Sequence, residues 1–226
     1  MSKVALITGA NRGIGLELCR LYVEQGYEVV AVCRESNDDL EDIADQVISG
    51  VDLTLDEAMD SVAQVLNMTL AEDSKIDVLI NNAGIFQNET LEDMNIDSIR
   101  LQLEVNALAP LKVTHSLLPF LEEGSKVANI TSRMGSIEDN GSGAYYGYRA
   151  SKAALNALGK SLALDMKSMG ISVAMIHPGF VQTRMVGFNG DISAQQAAAG
   201  IAARIDDLNL ENTGGFWHSN GQALPW

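Results

Sequence analysis

The sequence has little cysteine and lacks any long hydrophobic run. Only Cys19 and Cys33 occur in 226 residues, and they do not have the C-x-x-C spacing of a metal site or redox pair. We therefore expect no metal and no disulfide framework, with both thiols buried as small hydrophobic side chains. No stretch approaches the roughly 20 apolar residues of a transmembrane helix, and the first residues lead directly into a predicted strand without a signal peptide. A cytoplasmic protein without a membrane partner is predicted.

Basic residues are also scarce. Lys and Arg total 15 against 30 Asp and Glu, which gives a formal net charge of −15. Such a charge would repel a phosphate backbone, so a nucleic acid partner is not expected. The hydrophobic fraction of 46% and the charged fraction of 20% are ordinary for a globular protein. The length fits one α/β domain, and we expect that domain to span residues 1–226.

Short β-branched segments alternate with amphipathic segments along the chain. Besides a strand ending at Val51, strands are predicted at residues 3–8, 28–33, 77–81, 126–131 and 172–177. Helices are predicted at residues 13–25, 55–71, 95–121, 148–169 and 194–205. Pro110 should kink the third of these helices. Strands separated by helices pair in parallel, and strands that are apolar throughout are covered on both faces, so the pattern predicts a doubly wound α/β sheet.

A glycine-rich turn follows the first predicted strand. Residues 8–15 read Thr-Gly-Ala-Asn-Arg-Gly-Ile-Gly, a G-x-x-x-G-x-G spacing that leads directly into a predicted helix. The glycines permit a tight turn and a close approach of backbone N–H groups to a pyrophosphate, while the helix N-terminus adds a favourable partial charge. The position between a strand and a helix favours dinucleotide binding over a purely structural turn.

Tyr148 and Lys152 lie four positions apart at the start of a predicted helix, so their side chains share one helical face. A phenol has an ordinary pKa of about 10 and is a sluggish acid or base at neutral pH unless a nearby cation favours the phenolate. Lys152 could supply that cation. Taken alone, the Y-x-x-x-K spacing is more typical of a solvated helix face. It gains weight from its combination with the glycine turn and with the Asn-Asn-Ala-Gly run at residues 81–84.

Six features together carry a resemblance to a known family: the glycine turn, residues 81–84, Asn106, Ser132, the pair of Tyr148 and Lys152, and residues 178–179. In their order and spacing, the chain resembles the short-chain dehydrogenases/reductases over essentially its whole length. The segments around the serine and the tyrosine look like the branch that contains C-factor signalling proteins and sniffer-type carbonyl reductases. The resemblance implies a single Rossmann-type domain with a parallel sheet of about seven strands, the last near residues 216–219, and helices on both faces. It also implies a homodimer or homotetramer.

The resemblance implies a role for each of four residues. Tyr148 would donate a proton to the carbonyl oxygen of the substrate, and Ser132 would polarise that oxygen. Lys152 would lower the pKa of Tyr148 and hold the nicotinamide ribose, while Asn106 would anchor a water that relays protons from Lys152. Ser132 precedes Tyr148 by 16 positions, more than in many relatives, and we expect a loop at residues 139–143 to take up the extra length.

The resemblance also assigns residues to an NADP(H) site. The second strand ends Val32-Cys33-Arg34 without the acidic residue that would bind a free ribose 2′-hydroxyl, so we expect Arg34 and Arg12 to bind a 2′-phosphate. Asp52 would contact the adenine, and it could also cap the helix that is predicted to follow. The implied cofactor-binding residues are Gly9, Asn11, Arg12, Gly13, Ile14, Gly15, Arg34, Asp52, Leu53, Asn82, Ala83, Gly84, Tyr148, Lys152, Pro178, Gly179, Val181 and Thr183.

The implied function is that of an NADPH-dependent oxidoreductase that interconverts a small aldehyde, ketone or quinone and its alcohol. The predicted substrate loop at residues 179–193 is short, and its inner surface would be apolar through Phe180, Met185, Val186 and Phe188. A cofactor-binding signalling protein similar to C-factor is the alternative. A nucleotide-sugar epimerase or dehydratase shares the Y-x-x-x-K spacing but has a further substrate domain of roughly a hundred residues, and we expect no such domain in a chain of this length.

Overall fold

The computed structural model describes residues 2–71 and 74–226 and contains a seven-stranded sheet. The strands are β1 (Val4–Thr8), β2 (Glu28–Val32), β3 (Gln46–Ile48), β4 (Ile76–Asn81), β5 (Lys126–Ile130), β6 (Ser172–His177) and β7 (Phe216–His218). Their order is β3-β2-β1-β4-β5-β6-β7, and every neighbouring pair is parallel. The predicted doubly wound parallel sheet of about seven strands is confirmed.

The α-helices pack on both faces of this sheet. They are α1 (Gly13–Glu24), α2 (Asp38–Glu41), α3 (Ala58–Thr69), α4 (Ile96–Leu103), α5 (Ala109–Ser116), α6 (Tyr146–Lys167) and α7 (Ala194–Asp207). Helices α1 and α7 pack side by side on one face, whereas α3, α5 and α6 cover the other. In the described part of the chain, none of these helices has the length and apolar character needed to span a membrane.

Alternate residues of β1 point into two separate hydrophobic cores. Leu6 lies in the core under α3, α5 and α6, while its neighbour Ile7 lies in the core under α1 and α7. Each such side chain contributes about 1.5–3 kcal/mol when fully buried, which explains why the strand is apolar throughout. Cys19 and Cys33 belong to the core under α1, and both thiols are free and buried, as predicted.

The order in which successive strands are added to the sheet changes direction at β1. From β1 the chain continues to β2 and β3 on one side, and from β4 onwards it fills the other side. Because all the strands are parallel, their carboxyl ends lie along one edge of the sheet. Successive helices leave β1 and β4 towards opposite faces, so a crevice opens at this edge between the two strands. The residues that follow the strands are thereby brought together at the crevice.

The helix predicted over residues 95–121 is divided. It comprises α4, a π-helical segment at Glu104–Leu108, α5 and a short 3₁₀ segment at Leu118–Phe120. Pro110 has no backbone N–H, and its ring conflicts with the carbonyl of the residue four positions earlier, which is Asn106. The wider π turn lies directly before the proline and relieves this conflict, so the predicted kink takes the form of a π segment. Asn106, one of the predicted site residues, lies in that segment.

Candidate active site

A cleft with a volume of about 710 Å³ opens at the carboxyl edge of the sheet. Its size is in the range of small-molecule and cofactor sites. The predicted site residues that line it are Gly9, Asn11, Arg12, Gly13, Ile14, Arg34, Asp52, Leu53, Asn82, Ala83, Gly84, Tyr148, Lys152, Pro178 and Thr183. The other predicted residues lie behind the wall of the cleft; they are Gly15, Asn106, Ser132, Gly179 and Val181.

The glycine turn leaves room for a ligand because side chains are missing at its closest approaches. Gly9 has a φ of +65°, and a Cβ there would lie 2.7 Å from Cα of Ala83. Gly13 has a φ of +55°, and its Cβ would lie 3.4 Å from Cγ2 of Thr183, which comes from the loop after β6. The N-terminus of α1 between them has no side-chain cap. Uncapped N–H groups at a helix N-terminus fit the pyrophosphate of a dinucleotide.

Gly15 and Asn82 support the glycine turn from behind. A Cβ on Gly15 would lie 2.6 Å from Nδ2 of Asn82 and would overlap the carbonyl oxygen of Gly9. Nδ2 of Asn82 donates to the carbonyl oxygens of Thr8 and Gly9, both at 3.1 Å. Asn82 therefore ties β1 to β4 and also lines the cleft. Gly15 shapes the turn by close packing and does not face the cleft, so its predicted contact with a cofactor becomes an indirect one.

Tyr148 and Lys152 lie near the start of α6 and face the cleft. Nζ of Lys152 donates to the carbonyl oxygen of Ile130 at 2.9 Å and lies 5.9 Å from the centre of the Tyr148 ring. Burial lowers the pKa of Lys152 to about 8. Burial also raises the pKa of Tyr148 to about 12, an effect that the hydroxyl of Ser132 opposes. The expected lowering of the Tyr148 pKa by Lys152 is not seen, because the ammonium points at a backbone carbonyl and desolvation of the phenol dominates.

Ser132 follows β5 and begins a one-turn 3₁₀ segment that packs against α6. Its Oγ accepts a hydrogen bond from the N–H of Met134 at 3.1 Å. Gly135 permits the close packing, because a Cβ there would lie 2.7 Å from the carbonyl carbon of Lys152. The long interval between Ser132 and Tyr148 forms a surface loop and does not separate the two hydroxyls. Ser132 therefore keeps its hydrogen available for donation beside the phenol.

Asn106 is fully buried and makes three side-chain hydrogen bonds. Its Oδ1 accepts from the N–H of Ile85 at 2.8 Å, and its Nδ2 donates to the carbonyl oxygen of Ile85 at 2.9 Å and to Oγ of Ser151 at 3.0 Å. These bonds tie the end of β4 to α6. A Cβ on Gly84 would lie 3.2 Å from Oδ1 of Asn106 and 3.7 Å from Nζ of Lys152. Because both amide hydrogens are used, the water-anchoring role that the resemblance implies would fall to the backbone of Asn106.

Arg12 and Arg34 are exposed on the rim of the cleft. Within residues 2–71 and 74–226, neither guanidinium forms an ion pair with a carboxylate. The N–H and hydroxyl of Thr54 donate to Oδ1 of Asp52 at 3.0 and 2.8 Å, and these bonds, with the charge of Arg34, lower the pKa of Asp52. Asp52 thus caps a local turn, and its interpretation as the cap of α3 was wrong. Glu35, whose carboxylate was not predicted at the site, also lines the cleft.

The predicted substrate loop contributes part of its length to the cleft. Of the four residues expected to form its apolar inner surface, Met185 and Phe188 line the cleft, whereas Phe180 and Val186 do not. Val181 is buried and forms an isolated β-bridge with Ile192. Cδ1 of Ile192 also lies 3.0 Å from the position that a Cβ on Gly179 would occupy. The cofactor contacts predicted for Gly179 and Val181 would therefore be made by backbone atoms alone.

The cleft also contains residues that sequence reasoning missed. They are Val32, Cys33, Glu35, Val51, Thr54, Ile85, Leu101, Val105, Ile130, Thr131, Gln182 and Arg184. Leu101 and Val105 lie four positions apart, where α4 meets the π segment. An apolar pair at this spacing on a largely polar helix was the signal that could have identified them.

Sequence comparisons relate the chain to characterised proteins. A family model described as short chain dehydrogenase matches residues 3–192. A 1-hydroxy-2-glutathionyl-2-methyl-3-butene dehydrogenase of Rhodococcus sp. strain AD45 is 37% identical over 225 residues, which cover 98% of each chain. The C-signal protein of Myxococcus xanthus is 41% identical over 154 residues, which cover 67% of this chain and 93% of the relative.

Solved structures give the same result at the level of the fold. The carbonyl reductase Sniffer of D. melanogaster superposes with a TM-score of 0.90 at 30% identity, and all of both chains is covered. An NADPH-bound carbonyl reductase from chicken fatty liver superposes with a TM-score of 0.84 at 27% identity, covering 100% of this chain and 99% of the other. The structural similarity therefore extends through the glycine turn, the Ser132 segment and the loop after β6.

Proposed function

Because the chain belongs to the short-chain dehydrogenase family, as its motifs predicted, we propose that it is an NADPH-dependent oxidoreductase that interconverts a small aldehyde, ketone or quinone and the corresponding alcohol. The observation that carries the proposal is that Tyr148 and Lys152 line a cleft that also contains the glycine turn, with the hydroxyl of Ser132 beside the phenol of Tyr148. Leu101 and Val105 add an apolar wall, which suits an uncharged carbonyl compound. The proposal treats residues 1–226 as one catalytic domain.

In the proposed reaction, Tyr148 is the acid of carbonyl reduction and the base of alcohol oxidation. The phenol is protonated at neutral pH, so a proton is available for the carbonyl oxygen, and the hydroxyl of Ser132 opposes the rise in the pKa of Tyr148 that burial causes. Ser132 would donate a hydrogen bond to the same oxygen, because its Oγ already accepts from Met134 and its hydrogen is not needed there. When NADP(H) is bound, its nicotinamide supplies or removes the hydride.

Lys152 would hold the nicotinamide ribose and restore the proton of Tyr148. An ammonium has three N–H donors, and one of them is used by the carbonyl of Ile130. The other two remain for ribose hydroxyls. With a pKa of about 8, Lys152 is mostly protonated at pH 7, yet it can release a proton at little cost.

NADP(H) is the proposed cofactor rather than NAD(H). In a protein with a net charge of −15, Arg12 and Arg34 nevertheless leave the cleft rim positive, with no carboxylate partner for either within the described ranges. A 2′-phosphate would give both guanidiniums charge-assisted hydrogen bonds. Glu35 and Asp52 are the competing acidic groups at this rim. The similar carbonyl reductase that carries NADPH supports the same choice.

A panel of aldehydes, ketones and quinones with NADPH tests the proposed reaction. Replacing Tyr148 with phenylalanine removes one hydroxyl, so turnover should fall by a factor of about 10²–10⁴ while NADPH binding is retained. Tyr146→Phe is the matched control, because Tyr146 is exposed on the same helix two positions away. Unchanged turnover in Tyr148→Phe, or no turnover of any carbonyl or alcohol by the wild type, would contradict the proposal.

A cofactor-binding signalling role is the second candidate function. The similarity to C-signal favours it, since the match covers 93% of that protein. Binding alone needs the glycine turn but has no chemical use for Ser132, Tyr148 and Asn106 together. An experiment in cells with the Tyr148→Phe variant distinguishes the two candidate functions. A cellular effect that survives Tyr148→Phe, in a protein that binds NADPH without turnover, selects signalling, whereas loss of the effect in this variant selects catalysis.

The proposal includes a cytoplasmic homodimer or homotetramer. Leu101, Leu108 and Leu164 are exposed apolar side chains on α4, the π segment and α6. These are the helices through which the resemblance implies that subunits pack. Light scattering of the purified protein would measure its mass, and a monomer at micromolar concentration would contradict the assembly. Cell fractionation would test the location.

A further inference from the structure

We propose that Glu89 is a positioning residue for Tyr148 and acts through the first turn of α6. The inference rests on the proposed function, in which Tyr148 transfers the proton. Glu89 lies in the loop after β4 and is only 1% exposed. A buried carboxylate is costly unless hydrogen bonds satisfy it. The donors that satisfy this one come from the start of α6 and from the helix packed against that start.

The start of α6 has no cap of its own. The N-cap residue, Tyr145, has a φ of 54° and makes no side-chain cap hydrogen bond. Ala144 before it also has a positive φ, of 51°. Two successive non-glycine residues in the left-handed region are unfavourable and persist only where the surroundings hold them. The first N–H groups of the helix also require acceptors from outside the helix.

Glu89 supplies these acceptors. Its Oε2 accepts from the N–H of Gly147 at 3.0 Å, and its backbone oxygen accepts from the N–H of Tyr145 at 2.9 Å. One residue therefore fixes the backbone on both sides of Tyr146, directly before Tyr148. The position is also electrostatically favourable, because a carboxylate at a helix N-terminus interacts with the positive end of the helix dipole.

The other carboxylate oxygen connects this turn to α4. Oε1 of Glu89 accepts from Nε2 of Gln102 at 2.7 Å and from the hydroxyl of Ser98, and both partners are buried. Gly147 allows the two helices to approach, because a Cβ there would lie 2.5 Å from Nε2 of Gln102 and 3.0 Å from Cα of Ile99. The start of α6 is thus held against a second, independent helix.

A second residue of the same loop contacts the phenol ring directly. Phe86 packs edge to face on Tyr148, with ring centres 4.9 Å apart and planes at 81°. It also stacks on Tyr145 at 5.5 Å and 29°. The loop therefore fixes the ring of Tyr148 through Phe86 and the backbone beneath it through Glu89. Glu89 itself lies outside the cleft wall and touches no reacting atom.

Glu89→Gln is the variant that tests this role. It keeps the size of the side chain but replaces one carboxylate oxygen with an NH₂ group, which then faces the donor of Gly147 or those of Gln102 and Ser98. Turnover should fall about tenfold, because small displacements of a catalytic group are costly, while NADPH affinity is unchanged. Amide hydrogen exchange across residues 145–148 should accelerate. Glu92→Gln, an exposed residue of the same loop, is the matched control and should alter neither quantity.

Each outcome decides the inference. Unchanged amide exchange in Glu89→Gln overturns it. If exchange becomes faster but turnover equals that of Glu92→Gln, the inference is also overturned, because Glu89 would then be only structural. If the wild type has no turnover, the proposed function is refuted instead. The exchange data alone then support or overturn the claim that Glu89 fixes the start of α6. If Glu89→Gln does not fold, Ser98→Ala removes one donor and keeps the bond to Gly147. It should change both quantities in the same direction by a smaller factor, and no change in either would overturn the inference.

Discussion

Replacing Gly135 with alanine tests whether close packing sets the distance between the hydroxyls of Ser132 and Tyr148. The added Cβ would lie 2.7 Å from the carbonyl carbon of Lys152 and 2.9 Å from its Cβ and its oxygen. Carbon atoms in contact normally lie about 3.5–4.0 Å apart, so the two segments must separate by about 1 Å. Such overpacking costs about 1–3 kcal/mol, which lowers Tm by about 2–12 °C in a chain of this size.

We expect Gly135→Ala to lose more turnover than its loss of stability alone would cause. A displacement of about 1 Å between groups that act on one substrate atom can reduce the rate about 100-fold. The assay is kcat for carbonyl reduction at saturating NADPH, measured beside thermal unfolding. Gly141→Ala is the control, because a Cβ there meets nothing within 4 Å. A Gly135→Ala protein with lowered Tm but wild-type kcat would refute the reasoning, since the position of Ser132 would then not depend on this packing.

Three further predictions concern the cofactor. Arg34→Ala should weaken NADPH binding about tenfold, because a charge-assisted hydrogen bond is lost, and should leave NADH binding unchanged. A fluorescence titration measures both affinities, and equal losses for the two cofactors would exclude a contact with the 2′-phosphate. NADPH affinity should fall as the pH rises through about 8, because the Lys152 ammonium that holds the ribose then loses its proton, and Lys152→Met should abolish this dependence; a flat wild-type profile contradicts the role of Lys152. Gly9→Ala should prevent cofactor binding, because its Cβ would lie 2.7 Å from Cα of Ala83 at a φ of +65°; wild-type affinity in a titration would show that the turn is not the pyrophosphate site.

The strand pattern and the glycine turn made most of the fold predictable from the sequence. A strand such as β1 is predicted from its continuous apolar run, because a parallel sheet is buried on both faces and its strands do not alternate between apolar and polar residues. Likewise, Gly9 and Gly13 both have a positive φ, which favours glycine, and a Cβ on Gly9 would overlap Ala83, so the spacing of the two glycines predicts the position of the turn. Features of this kind depend on residues that are adjacent in the sequence, so the sequence predicts them.

The parts that were missed depend on contacts between distant segments. The position of Pro110 predicted a kink, but not that the kink would be a π segment in which Asn106 bonds to Ile85, 21 positions earlier. In the same way, the pKa of Tyr148 follows from burial in the folded protein, while the i, i+4 spacing to Lys152 shows only that the two share a face. Both features depend on how distant segments pack together, which sequence spacing does not specify.

The supports of Tyr148 also bear on the choice between catalysis and signalling. Cofactor binding requires the glycine turn, which Asn82 and Gly15 hold without help from Phe86 or Glu89. A buried carboxylate at Glu89 and two strained residues before α6 are not part of that turn, and each is unfavourable on its own. Their combined effect is to fix one phenol beside the Ser132 segment. A costly arrangement that positions the proton donor is expected in a protein whose proton transfer is used, and for this reason we favour the enzyme over the cofactor-binding signal.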